Sequence, residues 1–292
     1  MIEANGLPFE VQECGEGERL ALCLHGFPEH SYSWRNQLPI LADLGYRAWA
    51  PNQRGYGRSF RPNKVSDYDL IHLMSDVAGL IDTSGCQSVT LIGHDWGGLV
   101  AWFFAMRQIR PLERLVIMNC PHPASNKSFK QRSKLWYMLA FQIPFLPEYL
   151  LSRDRARQVR DAIYNIARRK ERFPEVVLDI FRDQAADIST ARAMINWYRA
   201  AFWGGMARQR RLGTRLIEVP TLLLWGEDDP VLLKETTYGT EHYVAALTIR
   251  YLPDVSHWTP QEAPEVVNAM LRAFLCGQNV PEMSDLSKVK SR

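Results

Sequence analysis

Leu91-Ile92-Gly93-His94-Asp95-Trp96-Gly97-Gly98 sets one carboxylate among small residues where an apolar run gives way to a helical pattern. This is the frame of the G-x-S-x-G nucleophile elbow, with Asp95 in place of serine. Gly93, Gly97 and Gly98 permit a tight strand-to-helix turn that thrusts the central side chain out at the edge of a sheet. A carboxylate held there can attack an electrophilic carbon and form an ester. An aspartate that only capped the following helix would need no glycines around it, so capping explains less of the pattern.

Such an ester must then be hydrolysed, which calls for a base, a water and an oxyanion site. The run Leu222-Leu223-Leu224-Trp225-Gly226-Glu227-Asp228-Asp229-Pro230 reads as a buried strand ending in acids, and Asp229 is the preferred orienting acid over Asp228 and Glu227. Downstream, Pro253-Asp254-Val255-Ser256-His257-Trp258 follows another apolar run. A strand-end acid that orients a loop histidine, which activates water, is the division of labour the second step needs. Of the seven histidines, His257 has the right position, whereas the elbow turn should point His94 away from the reacting carboxylate. His25-Gly26-Phe27-Pro28 can aim the Phe27 N–H at the ester carbonyl, with the Trp96 N–H as partner. Two such donors would stabilise the oxyanion.

These residues require a scaffold that delivers them to one edge. Strand patterns at Arg19–Leu24, Tyr46–Pro51, Ser88–Ile92 and Leu112–Asn119 alternate with helical patterns at Ser31–Leu44, Leu70–Asp82 and Gly98 to about Ile109. Alternation of this kind predicts a mostly parallel sheet with helices on both faces. From about Asn126 to Arg215 only helical stretches occur: Phe129–Phe141, Ala156–Arg168, Pro174–Ala186 and Thr190–Trp203. Alternation resumes with a strand at Pro220–Trp225, a helix near Glu235–Val244, a strand at Leu247–Leu252 and a helix at Pro264–Leu275. The organisation predicted is an α/β core of residues 1–125 and 216–292 with a helical cap at 126–215. The polar stretch Gly277–Arg292 is expected to be loosely attached.

Bulk composition narrows the classes. The 292 residues are 46% hydrophobic and 23% charged, enough for a large core. The abundant aromatics suit a pocket for an apolar or amphipathic ligand. No apolar run is long enough to span a bilayer and no signal-peptide pattern opens the chain, so a cytoplasmic protein is expected. Five scattered cysteines, Cys14, Cys23, Cys86, Cys120 and Cys276, read as free thiols. Net charge is +3, yet Leu151–Arg215 carries 15 basic against 7 acidic residues. Solvated helix faces account for that excess; a sharper reading is attraction of anionic amphiphiles. Nucleic acid is not expected, because no aromatic-and-basic binding motif accompanies the charge.

Taken together, His25-Gly26-Phe27-Pro28-Glu29, Gln53-Arg54-Gly55-Tyr56-Gly57-Arg58-Ser59, Gly93–Gly98 and Ser256-His257-Trp258 resemble the epoxide hydrolases of the α/β-hydrolase superfamily. The resemblance runs from about Pro8 to Leu275. It implies an α/β-hydrolase fold, no metal or cofactor, and an epoxide and water as substrates. It also implies two cap tyrosines that hold the epoxide oxygen. Asn196-Trp197-Tyr198-Arg199 is similar to the motif bearing one of them, and Tyr137, five residues before Gln142, resembles the other. C–O cleavage leaves an alkoxide, and a phenol of pKa about 10 stays protonated to donate there. Alone, each tyrosine could equally be a helix residue at a core boundary. Asn52 departs from the family pattern, where Asp is usual, and bears on how its loop is pinned.

Dehalogenases share the Asp–His–Asp logic and remain a rival at this level. Against them, Phe27 stands where the alkane type commonly has Asn, and Trp96 where the fluoroacetate type has Arg. A non-catalytic ligand-binding relative is the other alternative, although a pure binder has no need of nucleophile, acid, base and oxyanion donors together.

Overall fold

The computed structural model describes residues 1–125 and 128–289. A short antiparallel hairpin, β1 (Ile2–Ala4) with β2 (Leu7–Phe9), precedes a seven-stranded sheet. Its strands are β3 (Val11–Cys14), β4 (Arg19–Leu24), β5 (Tyr46–Pro51), β6 (Ser88–His94), β7 (Arg114–Met118), β8 (Thr221–Gly226) and β9 (Leu247–Leu252). Spatial order is β3-β5-β4-β6-β7-β8-β9; β3 runs antiparallel to β5 and every other pair is parallel.

Alternation along each strand divides the apolar residues between two cores. Leu20, Leu22, Leu24, Leu91, Leu223 and Trp225 face α2 (Leu70–Ser84) and α3 (Asp95–Arg107). Ala21, Cys23, Ile92, Val116, Leu222 and Leu224 face α1 (Leu38–Asp43) and a later helix at Pro264–Leu275. With both faces covered, the central strands must be apolar throughout, which is why they read as unbroken runs.

Between β7 and β8 the chain is helical: α4 (Phe129–Lys134), α5 (Tyr137–Ala140), α6 (Leu146–Ile166), α7 (Glu175–Ala185), α8 (Ile188–Ala200), a π turn at Ala201–Gly205 and α9 (Met206–Arg211). Polar fasteners tie this insertion to the core. The Trp197 indole N–H donates to the Arg54 carbonyl at 3.0 Å, and the Trp258 indole N–H to the Ile163 carbonyl at 3.0 Å. The Glu262 carboxylate accepts the Arg168 and Arg169 amides, each at 3.1 Å. Inside the insertion, Arg199 and Glu148 form a buried ion pair at 2.6 Å. The expected cap boundary at Asn126 lies outside the described residues. After β9 come α10 (Thr259–Glu262), α11 (Pro264–Leu275) and α12 (Met283–Val289).

Several expectations are corrected. The helix expected over Glu235–Val244 is two 3-10 turns, Lys234–Thr237 and Thr240–His242, separated by Gly239 at φ 83. Hydroxyls of Thr236, Thr237 and Thr240 bond to carbonyls three residues back, competing with continued helix. Ser31–Leu44 likewise splits into a 3-10 turn at Ser31–Trp34 and α1, and Phe129–Phe141 into α4 and α5. The helix expected to start at Gly98 starts at Asp95. The tail, expected to be loose, is held between Val280 and Leu286. Val280 is buried, the Arg250 guanidinium holds the Val280 and Pro281 carbonyls, and Met283 and Leu286 pack against the core. Residues 290–292 of that stretch lie outside the described residues.

Candidate active site

The C-terminal ends of β4, β6, β8 and β9 converge, as ligand sites of open parallel sheets do. At the end of β6, Asp95 adopts φ 49, a left-handed conformation that an L-residue holds only when its surroundings impose it. Close packing imposes it here. A Cβ on Gly97 would lie 2.2 Å from the Leu24 carbonyl oxygen, and one on Gly26 would lie 2.5 Å from the Asp95 Cβ. The glycines therefore let the elbow pass against the end of β4, leaving the Asp95 carboxylate at the cavity floor.

The other sequence-predicted residues gather around it. The Phe27 N–H donates to Asp95 Oδ1 at 2.8 Å. The Trp96 N–H sits in the first turn of α3, where a helix supplies no acceptor of its own. His257 Nε2 stands 3.5 Å from Asp95 Oδ2, and its Nδ1 is 2.7 Å from Asp229 Oδ2. Asp229 is held in turn by the Val231 and Leu232 amides on Oδ1, at 2.8 and 2.9 Å, and by the Asn119 side-chain amide on Oδ2 at 2.8 Å. Asp228, by contrast, points out to an ion pair with Arg168.

Electrostatics follow from this geometry. Burial opposes the imidazolium form of His257, but the Asp229 and Asp95 carboxylates outweigh it and raise the pKa well above the ordinary value. Burial also opposes ionisation of Asp95; the hydrogen bond and positive charge from His257 and the Phe27 N–H overcome it, holding the carboxyl below its usual range. Each group thus favours the charged form of the other, anion at Asp95 and cation at His257.

Two further histidines shape the floor. His25 is buried and neutral, its pKa pushed down to about 4 mainly by burial. Its Nε2 accepts the Gln53 N–H at 3.0 Å, which leaves Nδ1 to donate to the Gly26 carbonyl at 2.9 Å. That pair fixes the turn preceding Phe27, and the Phe27–Pro28 peptide that follows is cis. His94 points away from the Asp95 carboxylate, as expected, yet it is not idle. Its Nδ1 lies 2.7 Å from the Glu29 carboxylate and its Nε2 2.8 Å from the His257 carbonyl oxygen.

Across the cavity stand the two insertion tyrosines. Tyr198 is buried on α8 and Tyr137 half-buried on α5, with ring centroids 5.9 Å apart. Phe27, Trp96 and Phe141 pack edge-on against Tyr198 at 5.2, 5.0 and 5.0 Å. Burial, then the Asp95 charge, pushes the Tyr137 pKa up; burial, then Tyr137 and Asp95, does the same for Tyr198. Both phenols therefore stay protonated. Asp95, Tyr137 and Tyr198 together line two cavities, one of about 660 Å³ that also touches Pro28, His257 and Trp258, and one of about 190 Å³ reaching Leu99 and Arg210.

Glu29, Asn119, Gln261 and Glu262 complete the polar floor and were not singled out from sequence. Glu29 is fully buried, accepts from Gln261, and through His94 steadies the His257 backbone. Its signal was position, directly after the His-Gly-Phe-Pro turn. Asn119 closes β7, and residues at strand C-terminal ends are where such sites collect. Asn52 pins its loop by accepting the Ser31 N–H at 2.8 Å and donating to the Glu10 carboxylate at 2.7 Å. An aspartate would set two carboxylates together there.

A profile of the alpha/beta hydrolase fold family matches residues 22–261. The chain is 33% identical over 283 residues to the AB hydrolase superfamily protein YfhM of Bacillus subtilis, covering 95% of this chain and 97% of that protein. It is 34% identical over 285 residues to epoxide hydrolase 3 of Xenopus tropicalis, covering 94% and 76%. Among solved structures, a variant of the Bacillus megaterium epoxide hydrolase bound to its naphthyloxy-propanediol product superposes with a TM-score of 0.82 at 26% identity, covering 94% and 99%. The chain belongs to the α/β-hydrolase fold family and, within it, to the epoxide hydrolases.

Proposed function

We propose that this protein opens epoxides to vicinal diols through a covalent ester on Asp95. The observation that carries this reading is the pair of protonated phenols, Tyr137 and Tyr198, lining the same cavities as an ionised carboxylate. An oxirane fits between them, its oxygen toward the hydroxyls and one ring carbon toward Asp95. An Asp95 oxygen bonds to that carbon, the C–O bond breaks, and the leaving oxygen takes a phenolic proton. A dehalogenation site needs no acid on the leaving-group side, because halide leaves as a stable anion.

Ester formation removes the charge of Asp95. His257 then loses one of the two carboxylates that stabilise its cation, its pKa falls, and the proton it releases returns the phenolate to phenol, which leaves the neutral imidazole available as a base. Oriented by Asp229, it takes a proton from water, and the hydroxide attacks the Asp95 carbonyl carbon. The Phe27 and Trp96 amides hold the oxyanion, a contribution of a few kcal/mol per donor. The acyl C–O bond breaks, the diol leaves with a proton, and Asp95 keeps an oxygen from the water. In this scheme the helices between β7 and β8 act as the cap that excludes bulk water from the reacting atoms.

The test is side-by-side turnover of wild type and Asp95→Ala on a neutral aryl epoxide, an epoxy fatty acid and a haloalkane. Diol from the epoxides with wild type only is the expected result. Halide release without diol would move the protein to the dehalogenases, and diol from Asp95→Ala would remove the covalent step.

A further inference from the structure

The roof segment from Ser128 to Tyr149 is apolar on both of its sides. Tyr137 and Phe141 face inward and line the larger cavity. The outward side should be polar if it met only water. Instead it presents Trp136 at 68% exposure, Leu139 at 62% and Phe145 at 78%, with Ile143 and Leu146 also exposed. Trp136 stands just before α5, Leu139 lies on it, and Ile143, Phe145 and Leu146 follow in the turn and the start of α6, so one short stretch of chain exposes all five.

Charge on the same span has a single sign. Lys130 and Arg132 are exposed and Lys134 is half-buried, and among the described residues none of the three pairs with a carboxylate. The one acid in the span, Glu148, is buried against Arg199 at 2.6 Å. What the segment shows to solvent is aromatic, aliphatic and cationic. Protein–protein contact surfaces are depleted in lysine, whereas cations beside tryptophan and leucine suit the headgroup layer of a membrane.

We propose that this face docks the protein onto anionic lipid bilayers, the exposed aliphatic and aromatic side chains entering the headgroup layer while Lys130, Arg132 and Lys134 meet lipid phosphates. Among the described residues no helix is long and apolar enough to cross a membrane, so the attachment is peripheral. Trp136 and Lys134 line the larger cavity as well as this face, so its mouth opens toward the bilayer. An apolar substrate dissolved in lipid can then enter without crossing water.

Co-sedimentation with vesicles of phosphatidylglycerol or phosphatidylcholine tests the proposal, and it reads binding with no turnover required. Wild type should pellet with phosphatidylglycerol, less so at high salt, and weakly with phosphatidylcholine. The double variants L139S/I143S and K130E/R132E should each weaken binding on the order of tenfold or more. None of these four residues lines either cavity, so hydrolysis of a dissolved aryl epoxide should persist and report that the variants fold. Wild type remaining in the supernatant, or binding unchanged in both variants, overturns docking. A dimer in sedimentation velocity that L139S/I143S dissociates, without vesicle binding, assigns the face to a second copy of the chain.

Discussion

On the sheet side of the cavity, Asp95, Asp229 and His257 are placed by hydrogen bonds of 2.7 to 2.9 Å from backbone amides, Asn119 and each other. On the insertion side, Tyr137 and Tyr198 are placed by ring packing at 5.0 to 5.9 Å. The difference has a physical consequence. A buried polar network is directional, and shifting one member strands another without a partner. Aromatic packing is less exacting and tolerates changes of shape at constant volume. In the proposed scheme the floor accordingly fixes the reaction, while the roof governs which epoxides reach it.

The strongest challenge to that division is Asp95→Asn, which keeps the elbow and removes the nucleophile. Turnover should fall on the order of 10⁴-fold or more, measured as diol formation. His257→Gln should still form the ester and then stall, visible as a stoichiometric mass increase on the protein. In heavy-oxygen water, the first wild-type turnover should place the label in Asp95 and not in the diol. A labelled diol from that first turnover would sink the ester scheme.

Roof changes should be graded where floor changes are absolute. Tyr137→Phe and Tyr198→Phe should each cost on the order of tenfold in kcat, because one phenol remains, and together on the order of 10³-fold. Arg199→Met should leave Glu148 buried without its partner and lower stability by about 3 kcal/mol, read from denaturant unfolding. The smallest effect concerns protonation. Asp95→Asn removes one of two carboxylates that favour the His257 cation, so the His257 pKa should fall, followed by nitrogen NMR of the imidazole ring. By the same sign, the acid limb of wild-type kcat, reporting the ester state, should lie below the His257 pKa of the free enzyme. Coincidence of the two values would mean that Asp95 keeps its charge through the slow step.

Legibility followed the range of the forces involved. β4, β5 and β9 match their expected limits, β4 and β5 because covered strands are rich in apolar residues, and the edge strand β9 because Leu247, Ile249 and Tyr251 alternate with Thr248 and Arg250. The β1–β2 hairpin was not read, although Asn5-Gly6 at its turn, both at positive φ, is a strong local hairpin signal. The Glu235–Val244 pattern carried helical periodicity, but Gly239 and three threonines chose turns. The tail escaped because Arg250, which holds it, lies 30 residues away.

By itself the sequence determined the elbow, the His-Gly-Phe-Pro turn and the acid and histidine loops, since each depends on a few adjacent residues and the turn chemistry they permit. It also determined a sheet interrupted by helices, since periodicity is local. Only the tertiary structure decided which groups meet. His94 finds Glu29 across 65 residues of chain and Gln261 reaches Glu29 across 232, and no local pattern encodes such pairings. The two carboxylates that face His257, the placement of Tyr137 beside Tyr198 over one carboxylate, and the apolar outer side of the roof were likewise decided there. Burial and the juxtaposition of charges exist only once the strands have been brought side by side.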